Sequence, residues 1–348
     1  MSKYLLIESA PYFADLQAQP EALAALLREG IPESLNPLID LMADFDRIIL
    51  TGMGSSLNAL YPSFLRLSAA GFPVWHEDSA ELLINLPGRV RGKTLFWIAS
   101  QSGESAESIQ LIQNLKTLKG DITVMGFTND PESTLGVNAD FLCPIHCGPE
   151  MTVSSKSYLN TLCAAGIFTS KILNTPVDPE ILKAPQILKE YLVDWTKHFE
   201  ELDDLIKQET IFVIGRGESM AAARTGSLIV KEAARESIEG LTTAQFRHGP
   251  LEMASSKVAV FIYEGKGEQR NLNSLMYSDL ERLGAHPIWI SSENKPLHDG
   301  MIAPALSSDL LRPLSEIIIM QLLSLVLAFR KGDEPGKFRQ ISKITKTL

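Results

Sequence analysis

The feature that most constrains the fold of this chain is an internal repeat with an offset of 163 residues. Residues 47–59 match residues 211–222, and each copy is a short apolar run, a Gly-x-Gly turn and a stretch compatible with a long helix. A repeated strand–turn–helix unit predicts two similar halves in tandem. The identical pairs are Gly52/Gly215, Gly54/Gly217, Ser56/Ser219 and Ala59/Ala222.

Further apolar runs continue this alternation of strands and helices. Strands that alternate with helices of about 10–15 residues are typical of parallel sheets covered on both faces. We therefore expect an α/β fold made of two tandem, doubly wound αβα sandwiches with parallel sheets. The predicted strands are residues 47–52, 96–99, 122–127, 211–215, 259–262 and 287–290.

Proline-rich stretches suggest where the chain divides. Pro32 and Pro37 interrupt a helix-rich beginning, and two further prolines lie between residues 174 and 179. The predicted organisation is a helical segment at 1–45, a first sandwich at 46–175, a helical connection at 176–208, a second sandwich at 209–335 and a tail at 336–348.

Composition excludes several classes of partner. The chain has 348 residues, of which 45% are hydrophobic and 21% charged, so it can bury a substantial core. Its net charge of -10 disfavours nucleic acid and anionic membranes as partners. The longest apolar run, Ile317–Phe329, is interrupted by Gln321 and Ser324 and is too short to span a bilayer, so it predicts a buried helix.

Three cysteines in a chain of this length favour a reducing, cytoplasmic location. Cys143, His146 and Cys147 are close in sequence, but a fourth ligand with matching spacing is missing, and we expect no metal site.

Two hydroxyl-rich stretches follow predicted strands of the first half. They are Gly54-Ser55-Ser56 and Ser100-Gln101-Ser102-Gly103-Glu104-Ser105. In open α/β sheets the ligand lies beyond the carboxyl ends of the strands, where helix N-termini and backbone N–H groups face it. Serine hydroxyls add neutral donors, so we predict a phosphate site formed by these two loops.

The second half differs at the corresponding place. Glu264-Gly-Lys-Gly267 stands where the serine cluster stands in the first half, which predicts one phosphate site per chain. A dinucleotide site, with Glu77 on a ribose, is disfavoured because Leu57 and Met220 replace the third glycine of the G-x-G-x-x-G pattern. We expect no organic cofactor.

With these residues identified, the chain resembles the two-domain SIS (sugar isomerase) family, and within it the isomerase half of glutamine:fructose-6-phosphate amidotransferases. The resemblance runs from about residue 46 to the end. The matching motifs are the two serine loops, Glu150–Lys156, Gly215-Arg-Gly217, Lys231-Glu232, Arg247-His248-Gly249-Pro250 and the tail around Lys343.

The resemblance implies a role for each matched residue. Glu232 would be the base that moves a proton between sugar carbons, and His248, donated by a second copy in a homodimer, would assist ring opening. Lys343 would form or assist a Schiff base, with the tail as a lid. Val153 and Ser155 would join the phosphate loops in binding a sugar phosphate.

Two departures from the family pattern bear on the chemistry. Thr225 and Ile229 stand where the family has a glutamate and a lysine, so we expect a more apolar setting for Glu232 and a raised pKa. Met1-Ser2-Lys3 also offers no N-terminal cysteine nucleophile, so we expect that glutamine does not supply ammonia within this chain.

The leading functional prediction is therefore a deaminase/isomerase of an amino-sugar or ketose 6-phosphate. Three alternatives remain open: a non-catalytic sugar-phosphate sensor, a fructosamine-phosphate deglycase, and a synthase that works with a separate glutaminase chain.

Overall fold

The computed structural model describes residues 3–293 and 295–343, so the last five residues of the predicted tail lie outside the described residues. The strands are β1 (Arg47–Gly52), β2 (Val74–Asp78), β3 (Lys93–Ala99), β4 (Asp121–Thr128), β5 (Phe141–Pro144), β6 (Thr210–Gly215), β7 (Ile238–Thr242), β8 (Val258–Tyr263), β9 (His286–Ser291) and β10 (Gly300–Ile302).

The α-helices in chain order are α1 (Leu5–Glu8), α2 (Pro11–Gln17), α3 (Gln19–Glu29), α4 (Asn36–Leu41), α5 (Gly54–Ala59), α6 (Tyr61–Ala69), α7 (Ser79–Ile84), α8 (Leu86–Arg89), α9 (Ala106–Thr117), α10 (Thr134–Asn138), α11 (Lys156–Ile172), α12 (Ala184–Val193), α13 (Trp195–Leu205), α14 (Ser219–Ala234), α15 (Thr243–Arg247), α16 (Glu268–Arg282) and α17 (Arg312–Arg330). Short 3₁₀ helices lie at Glu33–Leu35, Met42–Asp44, Pro179–Lys183 and Pro250–Met253.

The strands form two five-stranded parallel sheets with the same connectivity. The first has the order β2-β1-β3-β4-β5, and the second has the order β7-β6-β8-β9-β10 when it is read in the same direction. Strands β1 and β6, which carry the sequence repeat, begin at Arg47 and Thr210, 163 residues apart. The predicted fold class is confirmed.

The chain divides into two compact units. The N-sheet unit contains Glu21–Glu150, Ser154–Pro179 and Gln340–Leu348, and carries β1–β5. The C-sheet unit contains Met1–Pro20, Met151–Val153 and Glu180–Arg339, and carries β6–β10.

In the N-sheet unit, alternate residues of β3 pack against helices on opposite faces of the sheet. The Trp97 ring lies 5.4 Å from that of Phe168 on α11. Phe96 and Ile98 point the other way, into a cluster with Leu111 of α9. All of these side chains are fully buried. Burial on both faces explains why β3 reads as a continuous apolar run rather than as an alternating one.

In the C-sheet unit, helices α14 and α17 cross at close range. A Cβ atom on Gly226 of α14 would lie 2.4 Å from Cγ of Met320 on α17. Every residue of α17 from Arg312 to Ala328 is buried. Because only a glycine leaves room at this crossing, α17 can pack deeply enough to bury its whole circumference.

Polar residues on α17 pair with residues near the amino terminus. The side-chain amides of Gln321 and Gln19 exchange two hydrogen bonds of 2.9 Å. The hydroxyls of Ser324 and Tyr12 lie 3.1 Å apart. The two polar interruptions in the apolar run are therefore satisfied buried groups.

Helix α17 is the one helix among the described residues that is long and apolar enough to cross a membrane by length and composition. Within its most apolar window, 94% of the residues are buried inside the protein, as in the core helix of a soluble protein. This agrees with the buried helix predicted from the sequence.

Helix α17 also carries a buried carboxyl group, Glu316. The Ser219 hydroxyl donates to its Oε1 at 2.8 Å, and Oε2 has no hydrogen-bond partner in the structure as described. Burial raises the pKa of Glu316 to about 8, although Arg312 and the Ser219 bond oppose the rise. The folded protein therefore keeps this proton at pH values where the unfolded chain loses it, and stability falls as pH rises from about 4.5 towards 8.

We expect Glu316→Gln to remove this pH dependence, because an amide has a similar shape and does not titrate. The melting temperature should exceed that of the wild type by about 3 °C or more at pH 8, and the gap should shrink at pH 5. Thermal unfolding between pH 5 and pH 8 measures the effect, with the exposed Glu33→Gln as control. Parallel pH profiles for Glu316→Gln and the wild type would contradict the assignment.

Candidate functional site

The two serine loops of the N-sheet unit begin at the ends of neighbouring parallel strands. Gly52, the last residue of β1, pairs with Ala99, the last residue of β3. A Cβ atom on Gly52 would lie 2.7 Å from the Ala99 carbonyl oxygen. Gly54 (φ 51°) then begins α5, with Ser55 buried and Ser56 partly exposed. The structure thus brings both predicted loops to one edge of the sheet.

The hydroxyls of the second loop accept hydrogen bonds from the loop itself. Ser100 Oγ accepts from Gly103 N at 3.2 Å, and Ser102 Oγ accepts from Glu104 N at 3.1 Å. A hydroxyl that accepts an N–H still carries its own proton, which it can donate to an anionic oxygen. These bonds fix the positions of Ser100 and Ser102 while leaving each a donor.

Ser105 has a different position, at the N-cap of α9. Its Oγ accepts from Ser108 N at 3.4 Å and donates to Ser108 Oγ at 2.8 Å. The loop therefore leads directly into a helix of 12 residues whose positive end faces the loop.

The loop after β4 holds the SQSGES loop in place. The Gln101 carbonyl accepts from Asn129 N at 3.0 Å, and the Glu104 carboxylate accepts from both the N–H and the hydroxyl of Thr134. Gly103 has φ 65°, and a Cβ atom there would lie 2.0 Å from Ser133 Oγ. The loop conformation therefore requires glycine at position 103.

Asn129 connects these loops to the segment after β5. Its side-chain oxygen accepts from Cys147 N at 2.8 Å, and its side-chain nitrogen donates to the Gly148 carbonyl at 3.0 Å. The segment that begins at Cys147 thus lies beside the SQSGES loop at the same edge of the sheet.

Glu150 is the polar centre of this segment and was not among the residues predicted from the sequence. Its Oε1 accepts from Ser155 N at 2.8 Å and from Ser157 N at 3.0 Å, and its Oε2 accepts from Ser157 Oγ at 2.7 Å. The side chain is completely buried. Its position at the head of a family-like motif, Glu150–Lys156, was the only sequence signal for it.

The tail lysine predicted to be reactive is bound to this carboxylate. Lys343 Nζ lies 2.6 Å from Glu150 Oε2, and its side chain is 23% exposed. Burial by itself raises the pKa of Glu150, but the charge and hydrogen bond of Lys343, together with the Ser157 bonds, outweigh burial and hold the pKa below its usual value. Glu150 is therefore a buried, ionised carboxylate at neutral pH.

The remaining predicted binding residues are both buried. Ser155 uses its N–H and its hydroxyl, at 2.8 and 3.2 Å, as donors to Glu150. Val153 is fully buried and belongs to the C-sheet unit. In this structure Ser155 therefore orients Glu150.

Glu232 and His248 both belong to the C-sheet unit. Glu232 is half-buried in the last turn of α14, and His248 is exposed at the end of α15. The residue after His248, Gly249, lines a cavity of about 400 Å³ together with Ser237 and Glu239 at the start of β7. The cavity lies at the amino-terminal ends of β6 and β7, and neither Glu232 nor His248 is among its lining residues.

The two departures from the family pattern are core residues. Thr225 and Ile229 are both fully buried on α14, whereas Glu232 is partly exposed. The predicted rise in the pKa of Glu232 stays a prediction.

The cysteines are buried thiols. Burial raises the pKa of Cys143 and of Cys163 to about 12, so both stay protonated near neutral pH. Residues 3–293 and 295–343 contain no group of three or more His, Cys, Asp or Glu side chains placed to hold a metal ion.

Comparison with known proteins shows what this sequence and fold resemble. Residues 204–300, which lie within the C-sheet unit, match the family model of the SIS domain. The resemblance inferred from the sequence motifs is confirmed.

The individual relatives are more specific. The chain is 28% identical over 357 aligned residues to an isomerizing glutamine–fructose-6-phosphate aminotransferase of Thermococcus kodakarensis, covering 96% of this chain and 58% of that protein. It therefore spans a little over half the length of this curated relative.

Solved structures show the same fold. The C-terminal domain of a glucosamine–fructose-6-phosphate aminotransferase from Francisella tularensis superposes with a TM-score of 0.80 at 22% identity, covering 95% of this chain and 98% of that one. A glucosamine-6-phosphate deaminase from Thermotoga maritima gives 0.73 at 17% identity, covering 97% and 100%.

We expect Gly103→Ala to distort the SQSGES loop, because its new methyl group would overlap Ser133 Oγ at a backbone angle that disfavours side chains. The loss in unfolding free energy should be about 2–4 kcal/mol. Gly71→Ala is the matched control, since Gly71 also has a positive φ (88°) but has open space around it, and should lose only about 1 kcal/mol. Equal losses in chemical denaturation would contradict the steric argument.

Proposed function

We propose that this chain catalyses an isomerisation or deamination of a phosphorylated sugar or amino sugar. One observation carries the proposal: neutral hydroxyl donors, helix N-termini and the tail amine of Lys343 occur together at one sheet edge of the N-sheet unit. A sugar phosphate requires both an anion cradle and groups that act on its carbonyl carbons.

The phosphate group is proposed to bind against Ser56, Ser100, Ser102 and Ser105, with Ser55 and Gln101 shaping the loops. Helix N-termini stabilise a phosphate through unpaired N–H groups and the helix dipole, so no lysine is needed in the cradle. This fits a protein whose net charge is -10, because its overall field repels anions and the attraction must be local.

The proposed chemistry moves a proton between C1 and C2 of the open-chain sugar. Glu232 removes the C2 proton of an aldose and returns it to C1, which gives a ketose through an enediol. With a 2-amino sugar the same transfer gives a C2 imine, and one water molecule hydrolyses it to the ketose and ammonia. The carbon skeleton and the phosphate are unchanged in both reactions.

His248 and Lys343 complete the proposed site. An imidazole titrates near neutral pH and can assist opening of the sugar ring. His248 is exposed, as a residue shared with a second copy of the chain must be, and we propose a homodimer in which it is donated across the interface. Lys343 is proposed to form or assist a Schiff base at the ketose carbonyl.

The names of the relatives agree with this reaction class. The Thermococcus relative is named for amination with isomerisation and the Thermotoga structure for deamination, both on a six-carbon sugar phosphate.

Turnover tests the proposal directly. Purified protein should release ammonia and a ketose phosphate from glucosamine 6-phosphate, or interconvert fructose 6-phosphate and its aldose; a fructosamine 6-phosphate tests the deglycase alternative. Ser102→Ala should raise KM about tenfold with a smaller change in kcat, because it removes a binding donor. Binding of these sugars without any turnover would instead favour a sensor.

Glu232→Gln should lower kcat by about 10²–10⁴-fold while the affinity for inorganic phosphate stays at the wild-type value, because the amide cannot accept the proton. Glu236→Gln is the matched control. Glu236 lies four residues after Glu232, and its carboxylate pairs with Lys331. A Glu232→Gln variant with wild-type kcat would exclude this residue as the base.

A further inference from the structure

We propose that Glu150 is a positioning residue that docks the tail of the chain by holding Lys343 as an ammonium ion at the sheet edge. The inference rests on the proposed function only in taking the Lys343 amine as the reactive group. The docking itself follows from contacts within the N-sheet unit.

Most hydrogen bonds to the Glu150 carboxylate come from residues outside the tail. Four donors from the chain reach its two oxygens: the N–H and the hydroxyl of Ser155, and the N–H and the hydroxyl of Ser157. All four come from the start of α11, so the carboxylate is held rigidly at that helix end. Such a buried anion requires a cation to offset its desolvation.

Lys343 supplies that cation from a distant part of the sequence. Its Nζ lies 2.6 Å from Glu150 Oε2 across 193 residues of chain. Lys156 and Cys147 also lie close to this pair, since Glu150, Lys156 and Lys343 all act electrostatically on the Cys147 thiol. Lys156 Nζ donates to the Pro149 carbonyl at 2.5 Å, and Cys147 is a buried thiol.

The docked amine lies at the same sheet edge as the phosphate loops. Asn129 links Cys147 and Gly148, just before Glu150, to the Gln101 carbonyl of the SQSGES loop. An ammonium ion has no lone pair and cannot attack a carbonyl carbon. The pair therefore defines a resting state in which the tail is bound at the sheet edge and the Lys343 amine is not nucleophilic.

The proposal predicts which substitutions release the tail. Glu150→Gln keeps the shape of the side chain but loses its charge, whereas Glu150→Asp keeps the charge and shortens the side chain. If Glu150 acts by charge, an amine reagent should modify Lys343 at least about tenfold faster in Glu150→Gln than in the wild type. Modification of Lys343 in Glu150→Asp should then be slower than in Glu150→Gln. If it acts only by packing, the order of the two variants reverses, and the proposal is overturned.

Labelling is measured by mass spectrometry at pH 8, with the exposed Lys337 as an internal standard. Hydrogen exchange of residues 337–343 provides a second readout, since release of the tail should speed exchange about tenfold or more. Lys343→Met removes the other half of the pair and leaves the bonds from Ser155 and Ser157 to Glu150 in place. It should therefore also speed this exchange, and it tests the proposal even if Glu150→Gln fails to fold. Lys337→Met should leave exchange at the wild-type rate.

These measurements use no substrate, so the two proposals can fail separately. Wild-type labelling and exchange in Glu150→Gln, with turnover that depends on Lys343, would overturn the docking proposal and keep the function. Faster labelling in Glu150→Gln, from a protein that acts on none of the sugars tested, would keep the docking and overturn the function.

Discussion

Parallel pairing of β1 with β3 is the constraint on which the candidate site depends. It places Gly52 opposite Ala99, so that two chain segments 47 residues apart leave the sheet at the same edge. Their backbones approach so closely that a Cβ atom on Gly52 would meet the Ala99 carbonyl. Each segment then turns into a helix, and the hydroxyls in the turns share one small region. No single local sequence could produce this arrangement, since it follows from strand pairing.

Much of the fold could be predicted from the sequence because its central strands are buried on both faces. Such strands appear as uninterrupted apolar runs, and β3 and β8 were placed within a few residues. The four edge strands β2, β5, β7 and β10 were not predicted. Each pairs with a neighbour on one side only, and each is either short, like β5 and β10, or carries polar residues such as Glu77 and Glu239, so neither length nor composition separates them from loops.

The parts of the candidate site that could be predicted are those whose residues lie close together in the sequence. Serines after a strand, followed by a helix, indicate an anion cradle whatever the rest of the chain does. Glu150 was missed because its significance is tertiary: a glutamate between Pro149 and Met151 gives no sign that it will be fully buried and paired with a lysine 193 residues later. Ser155, whose predicted binding role stays a prediction, donates to that carboxylate from its N–H and its hydroxyl. In the C-sheet unit, Glu264 stands after β8 where the serine loop stands after β3, and it forms an ion pair of 2.5 Å with Arg270.

The pairing of helix α17 with the beginning of the chain has a consequence for biosynthesis. Gln19 and Tyr12 find their partners 302 and 312 residues later, at Gln321 and Ser324. During translation, Tyr12 and Gln19 can therefore find these partners only after α17 has been made, while the N-sheet unit can already gather most of its residues. The C-sheet unit should close late and in one cooperative step, with its long-range contacts setting the rate.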